Sequence, residues 1–352
     1  MRKKKSYAGL IIVPLLIIVL YIIFAARRLT TEFHLTPSWT MEVQNTELSP
    51  GKEADLIPYK FKDCYGYFTA DGKLVSKIDY DFKAAISTDY STAYGMDSKA
   101  FRVYSTNQNV VCYVNEAGFP YFSQDRIYVL LPGGTSIAQY DNKGEQIFLH
   151  ESYSTITALA SSKGGTACGY ADGTVIVFDK HGVIQQNFIP GGSEENVIYG
   201  IALSDDGKTA AYITGLDKQR LAVSTVENNL PKVIYYEYFD QDLTRESLVK
   251  FNGNLIYYNY KGGLGILNLD KKKSYKYELD GIITQVEFTA DNKVAFVLSK
   301  NGDEYTITML EPYNHFAGKF SFQTETAFIQ VRNNDLFVGR NDKISKLTIS
   351  RK

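Results

Sequence analysis

Four histidines, His34, His150, His181 and His315, are the side chains best suited to proton transfer or metal ligation near neutral pH. No two of them stand at the short spacing that places two ligands on one metal ion. His181 falls in "DKHG", a polar turn, where a solvated side chain is the ordinary outcome. The run "SLVK" at 247–250 matches the S-x-x-K pattern of a serine nucleophile paired with lysine. That serine normally opens a helix, and this run reads as strand. Nucleophile elbows, H-E-x-x-H, P-loops and dinucleotide fingerprints do not occur. No catalytic residue, no metal ligand and no cofactor site is therefore expected.

Acidic turns such as "SDDGK" (204–208), "DNKG" (141–144) and "KNGDE" (300–304) resemble fragments of calcium loops. The twelve-residue loop with alternating ligands and a terminal Glu is missing, so hairpin chemistry explains them. Cys64, Cys112 and Cys168 are odd in number, far apart and outside any C-x-x-C, and read as buried free thiols on strands. One disulfide with a leftover thiol is the alternative, favoured slightly outside the cytoplasm. The most distinctive local features are "VLLPGGTS" and "NFIPGGSEEN". Each places Pro-Gly-Gly after an apolar strand: Pro132, Gly133 and Gly134 in the first, Pro190, Gly191 and Gly192 in the second. A wide turn is the ordinary reading. The aromatic run "IYYEYFDQD" (234–242) offers a contact patch, because Tyr is enriched at interface hot spots. Packing between strands is the safer explanation in so Tyr-rich a chain.

The elements that carry these residues are repeated. "ADGTVIVFDKHGVIQQNF" (171–188) has a turn, a strand, a polar turn with Gly and a second strand. The same grammar recurs at 69–82, 136–152, 220–238, 264–279 and 305–322. A strand–turn–strand unit centred on "KGG", "DDGK", "NGN", "ADNK" or "NND" accompanies it. Gly, Asn and Asp suit tight hairpins because those turns need positive φ. Together they make a four-stranded meander with a period of about 40 residues, the length of a propeller blade. Runs such as "VIVF" (175–178) and "LIYY" (255–258) are apolar without alternation, as strands covered on both faces should be. The expected fold is all-β, a β-propeller of four-stranded blades over 55–352. Six complete units run from about Phe82 to Phe322, followed by a three-stranded partial unit. If the front strands near 56–80 share a final blade with the C-terminal strands, the ring has seven blades, the favoured count. If each group completes its own blade, it has eight.

Residues 1–8 are cationic and precede an apolar run. The segment 9–28 is long enough to cross a bilayer as a helix and lacks a good cleavage site, so it reads as an uncleaved signal anchor. The excess of cations before it keeps 1–8 in the cytoplasm and sends the rest outward. Residues 29–54 read as a juxtamembrane tether, with room for one strand near Trp39 to Val43. The expected location is the cytoplasmic membrane, with the propeller on the periplasmic side. A formal net charge of -1 argues against nucleic acid as a partner.

"TADGKLVSKIDYDFKAAIS" and "IALSDDGKTAAYITG" resemble the strand–DG–strand cadence of bacterial WD40-like, YVTN-type and quinoprotein-type β-propeller repeats. The resemblance covers about 55–350. The Trp-Asp dipeptides, Gly-His openings and Trp docking positions of those families are missing, which removes support for a quinone cofactor. A single-pass anchor with an outward propeller is also similar to cell-envelope scaffolds, including the propeller lipoproteins of outer-membrane assembly, without their lipidation Cys. What this implies is a membrane-anchored scaffold with a protein partner, contacting it through the two Pro-Gly-Gly loops on one rim. The alternative is a propeller enzyme or ligand sensor with its site in the central channel.

Overall fold

The computed structural model describes Ile18, Val19 and Tyr21 and residues 33–49, 55–123, 125–228, 230–245, 247–312 and 315–351. The described residues form thirty-one strands in eight separate sheets, seven of four strands and one of three. The sheets are the blades of one ring. Blade 1 spans 57–79, and blades 2 to 7 span 83–114, 119–150, 156–188, 198–238, 249–278 and 282–323. Blade 8 joins the three strands of 327–351 to Phe33–Glu42.

The apolar runs show what holds the ring. In Val175–Asp179, Val175 and Val177 pack toward blade 5 with Ile198, Ile201 and Tyr212. Ile176 and Phe178 point the other way, onto Tyr128 and Ile137 of blade 3. Blade 6 repeats this: Leu255 and Tyr257 face blade 7, and Ile256 and Tyr258 face blade 5. The period of two sends alternate side chains to opposite faces, and here both faces are interfaces. Such runs fall on second or third strands. Each blade–blade junction carries its own apolar cluster. Between blades 1 and 2 it is the smallest, with Leu56, Tyr67 and Val75 buried.

In blades 2 to 7 the chain starts at the inner strand and moves outward. All inner strands start at one rim, here called upper. Loops from second to third strand, and from each outer strand to the next blade, lie on that rim. The remaining hairpin turns form the lower rim. Blade 1 departs from this plan. Lys60, at the end of its first strand (Ile57–Lys60), donates to the carbonyl of Ala84, at the start of blade 2's inner strand. Leu56, before that strand, packs with Ile86 at the far end of blade 2's inner strand. The two strands therefore run in opposite directions. Only residues 80–82 join blade 1 to blade 2, too few to climb a blade's height. Among the described residues blade 1 shows no inner strand and starts at the second position. Pro58 fits that edge, because proline cannot donate to a ladder on both sides. Pro37, Pro120 and Pro231 also lie on edge strands.

Closure uses the front of the chain. Phe33–Glu42 pairs antiparallel with the strand Lys343–Arg351 as the outer strand of blade 8, with a register shift between Pro37 and Trp39. Trp39 meets Phe68 of blade 1 edge-on and packs at a tilt against Phe337 of blade 8, and its Nε1 donates to Ala70 O at 3.3 Å. Leu48 bridges Leu74 in parallel along the outer edge of blade 1. Phe33 and Arg351 face each other, so both ends leave at the lower rim.

Six complete units and a three-stranded partial unit stand as expected. The favoured count of seven is corrected to eight, because the front strands and the C-terminal strands each build a blade. The strand shared between the termini comes from 29–54, so the propeller reaches into the span assigned to a tether. Residues 1–8 and most of 9–28 lie outside the described residues. No helix of the described residues is long and apolar enough to cross a membrane.

Phe337 is fully buried at the closing junction. Phe337→Ala should cost about 3–5 kcal/mol of unfolding free energy. It should also red-shift the emission of Trp39, the single tryptophan, before unfolding begins; an unshifted native spectrum would contradict the described seat of Trp39. Burial also raises the pKa of tyrosines throughout the blades, pushing Tyr65 and Tyr140 up to about 12. The folded chain keeps phenolic protons that the unfolded chain releases near pH ~10. Stability is therefore fully present below that range and falls as pH rises through it. Urea midpoints measured from neutral to alkaline pH should decline there.

Candidate functional site on the upper rim

Both Pro-Gly-Gly loops lie on the upper rim. The first joins the second and third strands of blade 3. Gly134 donates to Leu131 O at 3.0 Å, and its own carbonyl accepts Ile156 N at 2.8 Å, tying the loop to the start of blade 4. Gly133 and Gly134 sit at φ of +95° and +70° with open space where a Cβ would project. Pro132 and Gly133 are exposed, and Tyr153, in the next loop on this rim, is entirely so.

The second loop joins blades 4 and 5 and is held more firmly. Arg220 opens the third strand of blade 5 and is buried. Its Nη2 donates to Pro190 O at 3.1 Å and also to Gly191 O. The guanidinium lies 5.3 Å and 5.6 Å from the ring centroids of Tyr236 and Tyr238, on the outer strand of the same blade. Tyr238 in turn donates its hydroxyl to Gly192 O at 3.3 Å. Asp217 completes the clamp: its Oδ1 accepts Ser193 Oγ and the amides of Glu194 and Glu195 at 3.1 and 3.2 Å. Those hydrogen bonds hold its carboxyl below the usual range. Gln219 ties the following connection by accepting Leu243 N at 2.7 Å and donating to Leu243 O at 3.1 Å. The sequence marked this loop and the aromatic run separately. Arg220 joins them, and no spacing rule connects residues thirty apart. The one local signal was a cation at the start of an otherwise apolar strand.

The other chemistry-bearing residues are occupied in local structure. His181 is exposed in its turn, where its amide donates to Asp179 Oδ1 at 2.8 Å. His150 packs on Phe178 and Tyr170, and burial lowers its pKa. His315 Nδ1 lies 2.8 Å from Glu311. Ser247 Oγ donates to Arg245 O, whereas Lys250 binds Val286 O and Glu287 at 2.6 and 3.0 Å. Asp206 and Asp141 accept hydrogen bonds within their own turns. The three cysteines are buried and free, and burial pushes their thiols up to about 11 for Cys64 and Cys112 and about 12 for Cys168. Among the described residues no group of three or more His, Cys, Asp or Glu is placed to hold a metal ion. The axial cavity, about 390 Å³, lies against the inner strands of blades 4 to 7. Among the described residues its lining includes Ala158, Gly200, Ile201, Ser247 and Thr284 and carries no acid, lysine, arginine or histidine.

An eight-bladed β-propeller with a rigid, aromatic rim defines the class. The chain belongs to the family described as beta-propeller protein, whose model matches residues 1–352. It is 24% identical over 361 residues to an uncharacterised protein of Treponema pallidum (strain Nichols), covering 99% of this chain and 95% of that protein. Among solved structures, BamB from Moraxella catarrhalis aligns with a TM-score of 0.63 at 12% identity, over 90% of this chain and 100% of that one. A chain of the mitotic checkpoint complex aligns with a TM-score of 0.53 at 10% identity, over 92% of this chain and 95% of that one. At these identities the two structures speak for the fold.

Two neighbouring glycines separate backbone strain from the clamp. Gly191 has φ +68° with open space around a Cβ; Gly192 has φ +82°, and a Cβ there would come 2.4 Å from Arg220 Cζ. Gly191→Ala should cost about 1–2 kcal/mol from backbone strain alone. Gly192→Ala should cost measurably more and speed amide exchange across 189–197. Equal costs in denaturant unfolding would show that Arg220 does not pack beneath Gly192.

Proposed function

We propose that this protein is a protein-interaction or scaffold module of the bacterial cell envelope, anchored in the cytoplasmic membrane through residues 9–28, with the propeller on the extracytoplasmic side. The observation that carries the reading is the Arg220 clamp. It holds an inter-blade loop rigid and leaves Tyr236 and Tyr238 at the surface, where amphipathic rings supply contact area at little entropic cost. The lining of the axial cavity beside blades 4 to 7 supports the same reading over a channel enzyme or ligand sensor, because its described side chains offer the hydroxyls of Ser247 and Thr284 but no acid, histidine or lysine to activate them. The two solved structures add fold-level support only. Closure supports one orientation of the proposed assembly. The chain enters the ring at Phe33 on the lower rim, so an anchor before it would favour that rim toward the membrane and the Pro-Gly-Gly loops away from it.

Affinity capture with the full-length chain, from membranes solubilised in several mild detergents, should recover a stable protein partner at a fixed ratio. Recovery of the chain alone under every condition would remove the scaffold reading. Deleting residues 1–28 should move the chain into the soluble fraction, and retention in membranes after alkaline carbonate washing would remove the anchor.

A further inference from the structure

Among the described residues the outer strand of each blade has a single ladder partner. Its other edge points alternate N–H and C=O groups away from the ring. Such an edge pairs with any strand it meets, and proteins guard it with charge, proline or a covering segment. Five outer strands are guarded here. Pro37 stands in that of blade 8, and Lys77 and Asp79 in that of blade 1. Pro231 and Lys232 stand in that of blade 5, Lys273 and Lys276 in that of blade 6, and Lys319 in that of blade 7. Blade 1 is covered as well, because Ser49 N donates to Leu74 O at 2.7 Å and Leu48 bridges the same residue.

The remaining three are consecutive and unguarded. The outer strands of blades 2, 3 and 4 are Val110–Val114, Gln146–His150 and Ile184–Phe188. They read "VVCYV", "QIFLH" and "IQQNF", without Lys, Arg, Asp, Glu or Pro. A register shift precedes the outer strand in blades 1 to 5 and in blade 7 alike, so it does not compensate for the difference. Blade 3 is the centre of this arc. Its Phe148 and His150 turn onto Phe178 of blade 4, and burial keeps the imidazole uncharged at neutral pH. Ile147 and Leu149 are left 43% and 41% exposed.

The strand lies between two exposed carboxylates, Glu145 and Glu151. These decide the occupant. A second copy pairing antiparallel about Phe148 would set Ile147 beside Leu149, but also Glu145 against Glu151 at both ends. Like charges directly opposite are destabilising.

We propose that the outer edge of blade 3 takes up an extended segment of a partner protein as a fifth strand beside Gln146–His150. The segment alternates apolar and polar residues and carries Lys or Arg, not acid, at its ends. Its backbone completes the ladder, its apolar side chains lie along Ile147 and Leu149, and its terminal cations meet Glu145 and Glu151. Nucleic acid and lipid offer no row of amide groups at strand spacing, so neither fits this edge. The proposal rests on the interaction-module reading and gives it a contact independent of the Arg220 clamp.

The test uses a labelled peptide that alternates valine and threonine between terminal lysines, with binding to the full chain followed by anisotropy. The peptide should bind. The same peptide N-methylated at each backbone amide keeps its side chains, loses its donors and should not bind. Ile147→Lys with Leu149→Lys installs the guard that other blades carry and should weaken binding about tenfold or more. Ile147→Thr with Leu149→Thr adds no charge and should weaken it about threefold or more. Glu145→Gln with Glu151→Gln should weaken it and flatten its dependence on salt. Phe316→Lys, on the guarded edge of blade 7, should leave it within about twofold. Failure of the parent chain to bind the peptide, equal binding of the N-methylated form, or equal losses from the blade 3 and blade 7 variants would overturn the proposal. So would a dimer of the parent chain in detergent that the double lysine variant abolishes, because the edge would then belong to a second copy. Each variant is first compared with the parent by near-ultraviolet circular dichroism, so that loss of fold is not read as loss of site. Carrying the double lysine variant into the affinity capture separates the two readings. Loss of the captured partner supports the proposal. Undiminished capture overturns it and leaves the scaffold reading intact. A parent chain that captures nothing yet shows the full peptide pattern removes the scaffold reading and leaves the blade 3 edge standing.

Discussion

A strand covered on both faces has no solvent side, and everything in this ring follows from that. Val175 and Ile176 are neighbours in sequence yet belong to different interfaces. A blade that serves two junctions cannot be stable with only one neighbour, so the stack has to return to its start. The chain meets this requirement by lending Phe33–Glu42 to the last blade and placing Trp39 between Phe68 and Phe337. Closure is thereby both a ladder of backbone hydrogen bonds and an aromatic cluster, at a junction whose buried residues include Tyr59, Phe61, Phe68 and Phe337.

The blade frame was legible because its chemistry is local. Turns that need positive φ announce themselves as Gly, Asn or Asp, and middle strands announce themselves as unbroken apolar runs. Gly72, Gly144 and Gly182 adopt φ of +83 to +91° as such turns require. The blade count was less legible, because it depends on how distant segments pair. Nothing in "FHLTPSWTME" says that its partner lies three hundred residues later. The three-stranded form of blade 1 among the described residues was equally hidden, since its only trace is an unusually short connection at 80–82.

The rim was half legible. Pro-Gly-Gly marked two loops, and the topology puts both on the upper rim. What makes the second one stiff is a buried arginine whose partners are backbone carbonyls and ring faces, and such partners carry no sequence signature. Charge behaved similarly. Composition gave a balanced total, but a meander sends alternate loops to opposite rims, so strand direction sorts the charges in a way no composition reveals. Hairpin turns on the lower rim use Asp as a local acceptor and Lys as its neighbour. Inter-blade loops have no such requirement and can accumulate carboxylates.

The seam between Phe33–Glu42 and Lys343–Arg351 also gives the ring a mechanical direction. A pull that separates Phe33 from Arg351 breaks the nine residue pairs of the seam one after another, like a zipper. A pull between Phe33 and the upper rim runs along the strand, so all nine pairs and the seated indole share the load at once. Rupture under load is governed by the unfolding rate, and a shared load keeps that rate low. A tether at the lower rim and a grip on the upper rim would therefore tension this ring along its strong axis.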